Sequence, residues 1–254
     1  MERFGLIGHP IAHSGSPALF REYYGDAFPY DLIEGDVFEE SWQRFLEGYR
    51  AINITAPFKE VAFRKVCADG MVDPSVLPIG AINIAVKGAD GVIRGYNSDY
   101  LGVRAILEEK GFGKGSRVLI VGWGGAGKAA AAAARTLGCS VTVCNRTLPK
   151  QSAASSRHDR LQPAIRPLDD IPALAQETDL LIYTLPVAIP QLAGLTFPAI
   201  LEANYHTPCL GPSAVISSGK SPFSGYIPGV EWLRAQARTG YPLMTGLPLQ
   251  NVNN

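Results

Sequence analysis

The segment from Val118 to Ala134 reads VLIVGWGGAGKAAAAAA, and it determines the fold class of the chain. Four apolar residues predict a buried strand, and the alanine-rich stretch predicts a helix. Between them, Gly122, Gly124 and Gly127 form a GxGxxG motif, whose glycines allow a tight turn, close approach of a pyrophosphate and close helix–strand packing. Free N–H groups at a helix N-terminus bind phosphates, so the segment predicts a dinucleotide-binding Rossmann domain. A glycine turn that serves packing alone is the alternative.

The end of the next predicted strand, 141–144, indicates which dinucleotide is bound. A free ribose 2′-hydroxyl calls for an Asp or Glu at this point, whereas a 2′-phosphate calls for an Arg and small hydroxyl donors. The sequence has Asn145, Arg146 and Thr147 there, with no carboxylate. Because a guanidinium forms forked hydrogen bonds to phosphate oxygens, we expect NADP(H) rather than NAD(H). The alternative is that Arg146 is a surface residue of a loop.

Predicted strands and helices alternate on both sides of this segment, which indicates an α/β fold with largely parallel sheets. Before it, the predicted elements lie at 4–7, 18–24, 30–33, 39–49, 51–54, 59–67, in a hairpin over 82–95 and at 100–110. After it, they lie at 141–144, 179–184, 199–203 and 230–238. We expect two α/β domains flanking a cleft. Residues 1–101 with 230–254 are expected to form a substrate-binding catalytic domain, and residues 102–229 an NADP-binding Rossmann domain.

The composition is that of a globular protein and argues against several classes of partner. The chain has 254 residues, 18% of them charged, and a formal net charge of zero. Without an excess of basic residues, neither nucleic acid nor a membrane is expected as a partner. The four cysteines form no CxxC pair and have no zinc-binding histidine nearby, so we expect reduced thiols, no metal and a cytoplasmic location. A monomer and a homodimer both fit the sequence.

Four polar clusters follow apolar runs in the first hundred residues. They are Ser14 with Ser16, the segment 53–59 (NITAPFK), Asn83, and the segment 97–99 (NSD). Loops at the carboxyl ends of parallel strands are where α/β proteins bind ligands. The hydroxyls, amides, ammonium and carboxylate of these clusters together suit a small polyhydroxylated anion. Taken singly, each cluster is better explained by helix capping or turn formation.

Lys59 and Asp99 suggest the chemistry of this site. A dehydrogenase that acts on an alcohol must move a proton on or off the oxygen while hydride moves to or from the carbon. A carboxylate beside a lysine orients the amine and takes part in the proton transfer, so Lys59 and Asp99 are the candidate catalytic pair. The alternative is an ordinary solvated lysine at position 59.

Seven motifs, in order and over nearly the whole chain, resemble those of the shikimate dehydrogenase family. They are GHPIAHSGSP (8–17), NITAPFK (53–59), GAIN (80–83), GYNSDYLG (95–102), GWGGAG (122–127), NRT (145–147) and GVEWLRAQA (229–237). The resemblance implies a reversible, NADPH-dependent reduction of 3-dehydroshikimate to shikimate, on the route to chorismate and the aromatic amino acids. The substrate-binding residues that it implies are Ser14, Ser16, Thr55, Lys59, Asn83, Asp99, Tyr205 and Gln236. The cofactor-binding residues are expected to be Gly122, Gly124, Gly125, Ala126, Gly127, Asn145, Arg146, Thr147, Thr184 and Gly229.

The same resemblance implies a role for each substrate residue. In the family, the two serines bind the substrate carboxylate, the threonine of the second motif faces the substrate, and Lys59 and Asp99 match the catalytic pair. Asn83 and Asp99 match residues that bind the substrate hydroxyls. Tyr205 matches a tyrosine near the substrate and the nicotinamide, and Gln236 matches a glutamine that a C-terminal helix brings back to the substrate.

The sequence departs from the family pattern at several positions, most of them in the cofactor half. Ile84 and Ser98 each stand where the family usually has threonine. Trp123 is a bulky residue within the glycine turn, and the segment 183–189 (YTLPVAI) stands where the family usually has Asn-Ala-Thr-Pro-x-Gly-Met. Glu202 begins the stretch before Tyr205 that usually contains an aspartate.

Three functions fit these observations. The first is a shikimate dehydrogenase of divergent sequence. The second is a related enzyme that acts on quinate or another shikimate-like acid, with NADP(H) or NAD(H), although Arg146 argues against NAD(H). The third is a non-catalytic small-molecule binder on the same fold, against which the retention of both Lys59 and Asp99 speaks.

Overall fold

The computed structural model describes residues 1–148, 163–216 and 221–250. The chain forms two compact units, of which the first comprises Met1–Ser98 and Gln236–Asn254 and the second Asp99–Ala235. Each unit has a six-stranded sheet and helices, so the predicted α/β class is confirmed. In the described part of the chain, no helix is both long enough and apolar enough to cross a membrane.

The first unit has a mixed sheet with the strand order β2-β1-β3-β5-β6-β4. Its elements are β1 (Phe4–Gly8), α1 (Ser16–Tyr24), β2 (Tyr30–Glu34), α2 (Phe38–Gly48), β3 (Ala51–Ile54), α3 (Lys59–Asp69), β4 (Met71–Val72), β5 (Ile84–Lys87) and β6 (Ile93–Tyr96). The predicted hairpin is confirmed as β5 and β6. The sheet is largely parallel, as expected, with β5 as its one reversed strand, because β5 is antiparallel to both of its neighbours. The two-residue strand β4 is too short to produce a periodic pattern, and the sequence does not predict it.

One face of α2 supplies much of the core on its side of this sheet. Phe38, Trp42 and Phe45 are buried there and pack with residues of β1 and β3, whereas Leu46 is 38% exposed. The rings of Trp42 and Phe45 meet edge to face with centroids 5.1 Å apart. The apolar side chains on one face of α2 therefore pack against the sheet and stabilise it, and the polar clusters lie at the ends of strands of this sheet.

The register of the central strands places three strand ends at one edge of the first sheet. Asn53 of β3 pairs with Ile84 of β5, and Ile84 pairs in turn with Tyr96 of β6. Since β5 is antiparallel, the end of β3, the start of β5 and the end of β6 coincide. Strand β1 is parallel to β3 and ends at the same edge, where Ile7 pairs with Ile54. All four polar clusters follow or precede strands at this end of the sheet, where β1, β3 and β6 finish and β5 starts. We call this end of the sheet the polar edge.

The second unit has a fully parallel sheet with the strand order β12-β11-β10-β7-β8-β9. Its elements are α4 (Ser98–Glu109), β7 (Arg117–Val121), α5 (Gly125–Thr136), β8 (Ser140–Cys144), β9 (Ala164–Arg166), α6 (Ile171–Ala175), β10 (Leu180–Tyr183), β11 (Ala199–Glu202), β12 (Gly225–Ile227) and α7 (Gly229–Thr245). The strand order reverses at β7, as in a dinucleotide-binding sheet, which confirms the Rossmann prediction. The three-residue edge strands β9 and β12 were not predicted.

Helix α7 is longer than the predicted 230–238, and its residues from Gln236 onwards belong to the first unit, where they pack closely. A Cβ on Gly240 would lie 2.7 Å from Ile84 and 3.0 Å from Ser98, so only glycine permits this approach without displacing a neighbour. Gly240 and Pro242 obscure the helical pattern in the sequence, since both residues disfavour a helix interior.

Candidate functional site

Backbone hydrogen bonds join the loops at the polar edge of the first sheet. The N–H of Thr55 donates to the carbonyl of Ile7 at 3.0 Å, and the N–H of Ile54 donates to the carbonyl of Asn83 at 2.9 Å. The N–H of Ile82 donates to the carbonyl of Lys59 at 3.1 Å. The structure thus brings the Thr55–Lys59 turn beside Asn83, as the family resemblance requires of substrate residues.

Ser14 and Ser16 lie at the start of α1 with their hydroxyls in contact. The Ser14 Oγ donates to the Ser16 Oγ at 3.1 Å and accepts from the Ser16 N–H at 3.2 Å. The N-cap residue of α1 is Gly15, which has no side chain with which to cap the helix. Helix capping from the N-cap position is therefore not the role of either serine. Two adjoining, partly exposed hydroxyls can instead donate to the two oxygens of one carboxylate.

Tyr30 is a member of this cluster that the sequence did not reveal. Its hydroxyl donates to Asn53 Oδ1 at 2.7 Å and lies within hydrogen-bonding reach of Ser16. Burial, reinforced by the neighbouring Tyr241, raises the pKa of Tyr30 well above its ordinary value, so the phenol stays neutral. Tyr241 in turn donates to the carbonyl of Ser16 at 3.4 Å. In the sequence, Tyr30 is only the first residue of a strand, and its partners lie 14 and 23 positions away.

Asn83 and its neighbours are buried and hold the start of α4. The Asn83 Oδ1 accepts from the Ser98 N–H at 2.6 Å and from the Ser98 Oγ at 3.3 Å. The Asn97 Nδ2 donates to the carbonyl of Ala81 at 3.0 Å. Since the Asn83 Oδ1 is used to hold Ser98, the orientation of its amide group is fixed. The Ser98 hydroxyl is thus one of the hydrogen-bonding groups that hold the candidate site together.

The two candidate catalytic residues begin two different helices. Lys59 is the first residue of α3 in the first unit and is partly exposed. Asp99 lies in the first turn of α4, where the helix dipole favours a carboxylate, and is 5% exposed. The unit boundary falls between Ser98 and Asp99. Their pairing therefore stays a prediction.

Gln236 belongs to the first unit, together with the rest of α7 that follows it. Gly240 of that helix contacts Ile84 and Ser98. Residues four apart share a helix face, so Gln236 lies one turn before this contact on the same face. The helix therefore carries Gln236 towards the polar edge, whereas Tyr205 belongs to the second unit.

The glycine turn between β7 and α5 has the geometry that a dinucleotide needs. Gly122 has a φ of +105°, and a Cβ on it would overlap the hydroxyl of Thr184, which itself donates to the carbonyl of Val121 at 2.9 Å. A Cβ on Gly127 would overlap the carbonyl of Gly122. Around Gly124, by contrast, no heavy atom lies within 4 Å of the corresponding position. The first and third glycines therefore serve packing, and the second opens onto space.

The start of α5 fits a phosphate group. Gly124 is its N-cap residue, no side chain caps it, and its first turn has no acidic residue. Helix N–H groups and the positive end of the dipole are thus directed at the space beside Gly124. Gly125 has no side chain and Ala126 has only a methyl group, so neither side chain fills this space. The residues present therefore fit the pyrophosphate of NADP(H).

The end of β8 lies beside this turn, because the N–H of Gly122 donates to the carbonyl of Cys144 at 2.9 Å. Asn145 follows, and its Nδ2 donates to the carbonyl of Thr147 at 2.8 Å, which curls the loop and leaves Arg146 and Thr147 exposed. A guanidinium and a hydroxyl beyond the second strand suit a 2′-phosphate.

Tyr205 lies in the loop after β11, next to the start of α7. A Cβ on Gly229 would lie 2.7 Å from the backbone of Asn204 and 2.8 Å from the nitrogen of Tyr205, so this glycine packs directly on the loop. The Tyr205 side chain is 38% exposed, and partial burial raises the pKa of its phenol. Glu202, at the base of the same loop, is completely buried, which the sequence did not indicate.

Two family models match the chain. Residues 6–85 match the shikimate dehydrogenase substrate binding domain, and residues 106–188 match shikimate / quinate 5-dehydrogenase. Among curated proteins, a shikimate dehydrogenase (NADP(+)) of Thermus thermophilus is 30% identical over 260 residues, which cover 98% of this chain and 88% of the relative. That of Halothermothrix orenii is 29% identical over 268 residues, which cover 96% and 90%.

Solved structures give the same result. A shikimate 5-dehydrogenase of Thermus thermophilus, in complex with NADP(H) and shikimate, matches with a TM-score of 0.74 and 27% identity over 99% of this chain and 96% of that one. The quinate dehydrogenase of Corynebacterium glutamicum, in complex with NAD, matches with a TM-score of 0.79 over 98% and 95%. At 23% identity, the second match is a likeness of fold alone.

The different surroundings of Gly127 and Gly124 predict different effects of adding a methyl group. Gly127→Ala should lower the free energy of unfolding by at least about 1–3 kcal/mol, because its Cβ overlaps the Gly122 carbonyl. Gly124→Ala should change it by no more than about 0.5 kcal/mol and should instead weaken NADPH binding at least about tenfold. Urea unfolding and fluorescence titration with NADPH measure the two effects. Equal losses of stability, or unchanged NADPH binding in Gly124→Ala, would contradict this division of roles.

Proposed function

This chain belongs to the shikimate dehydrogenase family, and we propose that it catalyses the reversible, NADPH-dependent reduction of 3-dehydroshikimate to shikimate. The observation that carries the proposal is the polar edge of the first sheet. The hydroxyls of Ser14 and Ser16, the Thr55–Lys59 turn and the amide of Asn83 belong to loops that backbone hydrogen bonds join at that edge. A hydroxylated carboxylic acid is the class of ligand that such donors recognise.

The carboxylate of the substrate is assigned to the two serines. Neutral hydroxyl donors bind a carboxylate by hydrogen bonds, and the nearby Tyr30 phenol holds Ser16 and Asn53 in place. Thr55 and Asn83 are assigned to the remainder of the acid. Because the Asn83 Oδ1 accepts from Ser98, its Nδ2 has one orientation in which to meet a substrate hydroxyl oxygen. Tyr205 and Gln236 are assigned to the substrate by their family positions.

Lys59 and Asp99 are assigned to the proton transfer. Bound NADPH supplies the hydride to the substrate carbonyl carbon. As that carbonyl becomes an alcohol, the ammonium of Lys59 gives a proton to the oxygen, and in the reverse direction the amine takes it back. The Asp99 carboxylate orients the amine and accepts from the substrate hydroxyl.

The cofactor is assigned to the glycine turn and the loop after β8. Gly124, Gly125 and Ala126 meet the pyrophosphate at the start of α5, where Gly122 and Gly127 permit the turn. Arg146 and Thr147 take the 2′-phosphate, and Thr184 and Gly229 line the rest of the cofactor site. The four cysteines are unpaired thiols, in keeping with the cytoplasm as the place of the reaction.

The reaction is tested by following the absorbance of the NADPH or NADH formed in four combinations, with shikimate or quinate as substrate and NADP⁺ or NAD⁺ as oxidant. We expect the largest kcat/KM for shikimate with NADP⁺. In that assay Lys59→Ala should lower kcat by about 10²–10⁴-fold, because it removes the general acid–base group, while calorimetry shows shikimate still bound. Reduction in none of the four combinations would overturn the proposed reaction, and near-normal turnover of Lys59→Ala would overturn the role assigned to Lys59.

Tyr30→Phe tests the support of the carboxylate site. Loss of the hydroxyl removes the hydrogen bond to Asn53, so the KM for shikimate should rise by about 2- to 10-fold, with the KM for NADP⁺ unchanged. Tyr24→Phe is the matched control, since both rings pack on Phe20 but the Tyr24 hydroxyl bonds the carbonyl of Leu247. An equal rise in the KM for shikimate in the two variants would show that Tyr30 has no specific role.

A further inference from the structure

Glu202, the last residue of β11, is a fully buried carboxylate that the assignments above do not use. Burial of an ionised carboxylate is costly unless hydrogen bonds compensate it, so its partners indicate what it does. Its side chain has no exposed surface in the second unit, and Glu202 therefore cannot touch a substrate. Any contribution to the reaction must pass through another residue.

The partners of Glu202 lie at the far end of a loop and on the next strand. The Oε1 accepts from the N–H of Cys209 at 2.5 Å, and the Oε2 accepts from the N–H of Leu210 at 3.2 Å. The Oε2 also accepts from the hydroxyl of Tyr226 in β12 at 2.6 Å. Burial and the adjacent carboxylate raise the pKa of Tyr226, so its phenol remains a donor. Hydrogen bonds to an ionised acceptor are among the stronger ones in proteins.

These bonds close the loop 203–210 on itself. The carboxylate at its base holds the two amides at its end, while the N–H of Ala203 donates to the carbonyl of Tyr183 at 2.8 Å. Inside the loop, the Asn204 Nδ2 donates to the carbonyl of Thr207 at 2.5 Å. Gly229 covers the backbone at 204–205. Tyr205 is an exposed aromatic residue of a loop that is fixed at both ends, and its ring lies against that of the exposed His206, with centroids 4.1 Å apart.

We propose that Glu202 is a positioning residue, whose carboxylate clasps the loop 203–210 and so presents the Tyr205 phenol to the bound substrate. The inference rests on the proposed function, in which Tyr205 meets the acid. An apolar residue at position 202 would bury just as well, but it would leave two loop amides unpaired. The carboxylate therefore specifies one conformation of this loop.

A double-mutant cycle distinguishes positioning from a purely structural role. Tyr205→Phe and Glu202→Gln should each lower kcat/KM for shikimate by about tenfold. The first removes the phenol hydroxyl, and the second replaces one carboxylate oxygen with an NH₂ group, which cannot accept from the second loop amide. If Glu202 acts through Tyr205, the double variant should be about tenfold below wild type rather than a hundredfold. Effects that multiply to about a hundredfold would overturn the proposal.

Asp179→Asn is the matched control for this cycle. Its carboxylate also accepts a backbone amide, that of Arg117 at 2.8 Å, but at the opposite edge of the same sheet. Combined with Tyr205→Phe, it should show effects that multiply. If Glu202→Gln does not fold, Tyr226→Phe takes its place, since it removes one donor and leaves the carboxylate with its two amides. Coupling of Asp179→Asn to Tyr205→Phe as strong as that of Glu202→Gln would refute a specific clasp.

Hydrogen exchange tests the clasp without any substrate. At least one of the amides of Cys209 and Leu210 should exchange at least about tenfold faster in Glu202→Gln than in wild type, and the Arg117 amide should be unchanged. If the amides of Cys209 and Leu210 both exchange in Glu202→Gln at their wild-type rates, the clasp is overturned even in an active enzyme. A wild-type protein inactive on shikimate would instead refute the proposed function, and faster loop exchange in Glu202→Gln would still support the clasp.

Discussion

The site depends on the requirement that buried amides be paired. Asn53, Asn83 and Asn97 stand at neighbouring strand ends of the first sheet, and each side chain bonds a group on another segment. Asn83 holds the first amide of α4, Asn97 holds the loop before Asn83, and Asn53 receives the Tyr30 hydroxyl. A buried amide without its partner costs more than the bond contributes, so these loops have one arrangement. The groups that we propose to meet the substrate are thereby oriented before it binds.

In the second unit, small residues rather than side-chain amides fix the arrangement of a loop, the glycine turn after β7. Gly127 lets α5 approach the turn after β7, and four fully buried alanines of that helix continue the close packing along it: Ala129, Ala130, Ala133 and Ala134. Space is left beside Gly124, where the helix N-terminus is uncapped. At the other strand ends of this unit, the buried charge of Glu202 holds a longer loop. In the proposed function, backbone geometry would bind the cofactor, and side chains would orient the acid.

Features that depend on residues close together in the sequence could be predicted, whereas features that depend on residues far apart in the sequence could not. The glycine turn was predictable because strand, turn and helix are contiguous, and each glycine has a local steric reason. The place of Ser14 and Ser16 at the start of a helix was predictable from their motif, and their role in binding the acid stays a prediction. Tyr30 and Glu202 were not, because their partners are set by strand register and by a loop that returns. The antiparallel β5 was predictable as a hairpin, but its effect of bringing Asn83 beside Thr55 required the strand order.

The central claim is that the polar edge of the first sheet holds the acid, with its carboxylate on the two serines. A crystal structure of the protein with shikimate and NADP⁺ measures this directly. The account predicts both carboxylate oxygens within about 3.2 Å of the Ser14 and Ser16 hydroxyls, and a ring hydroxyl within hydrogen-bonding distance of Lys59. Shikimate bound with its carboxylate turned away from both serines, or bound outside this edge, would contradict it.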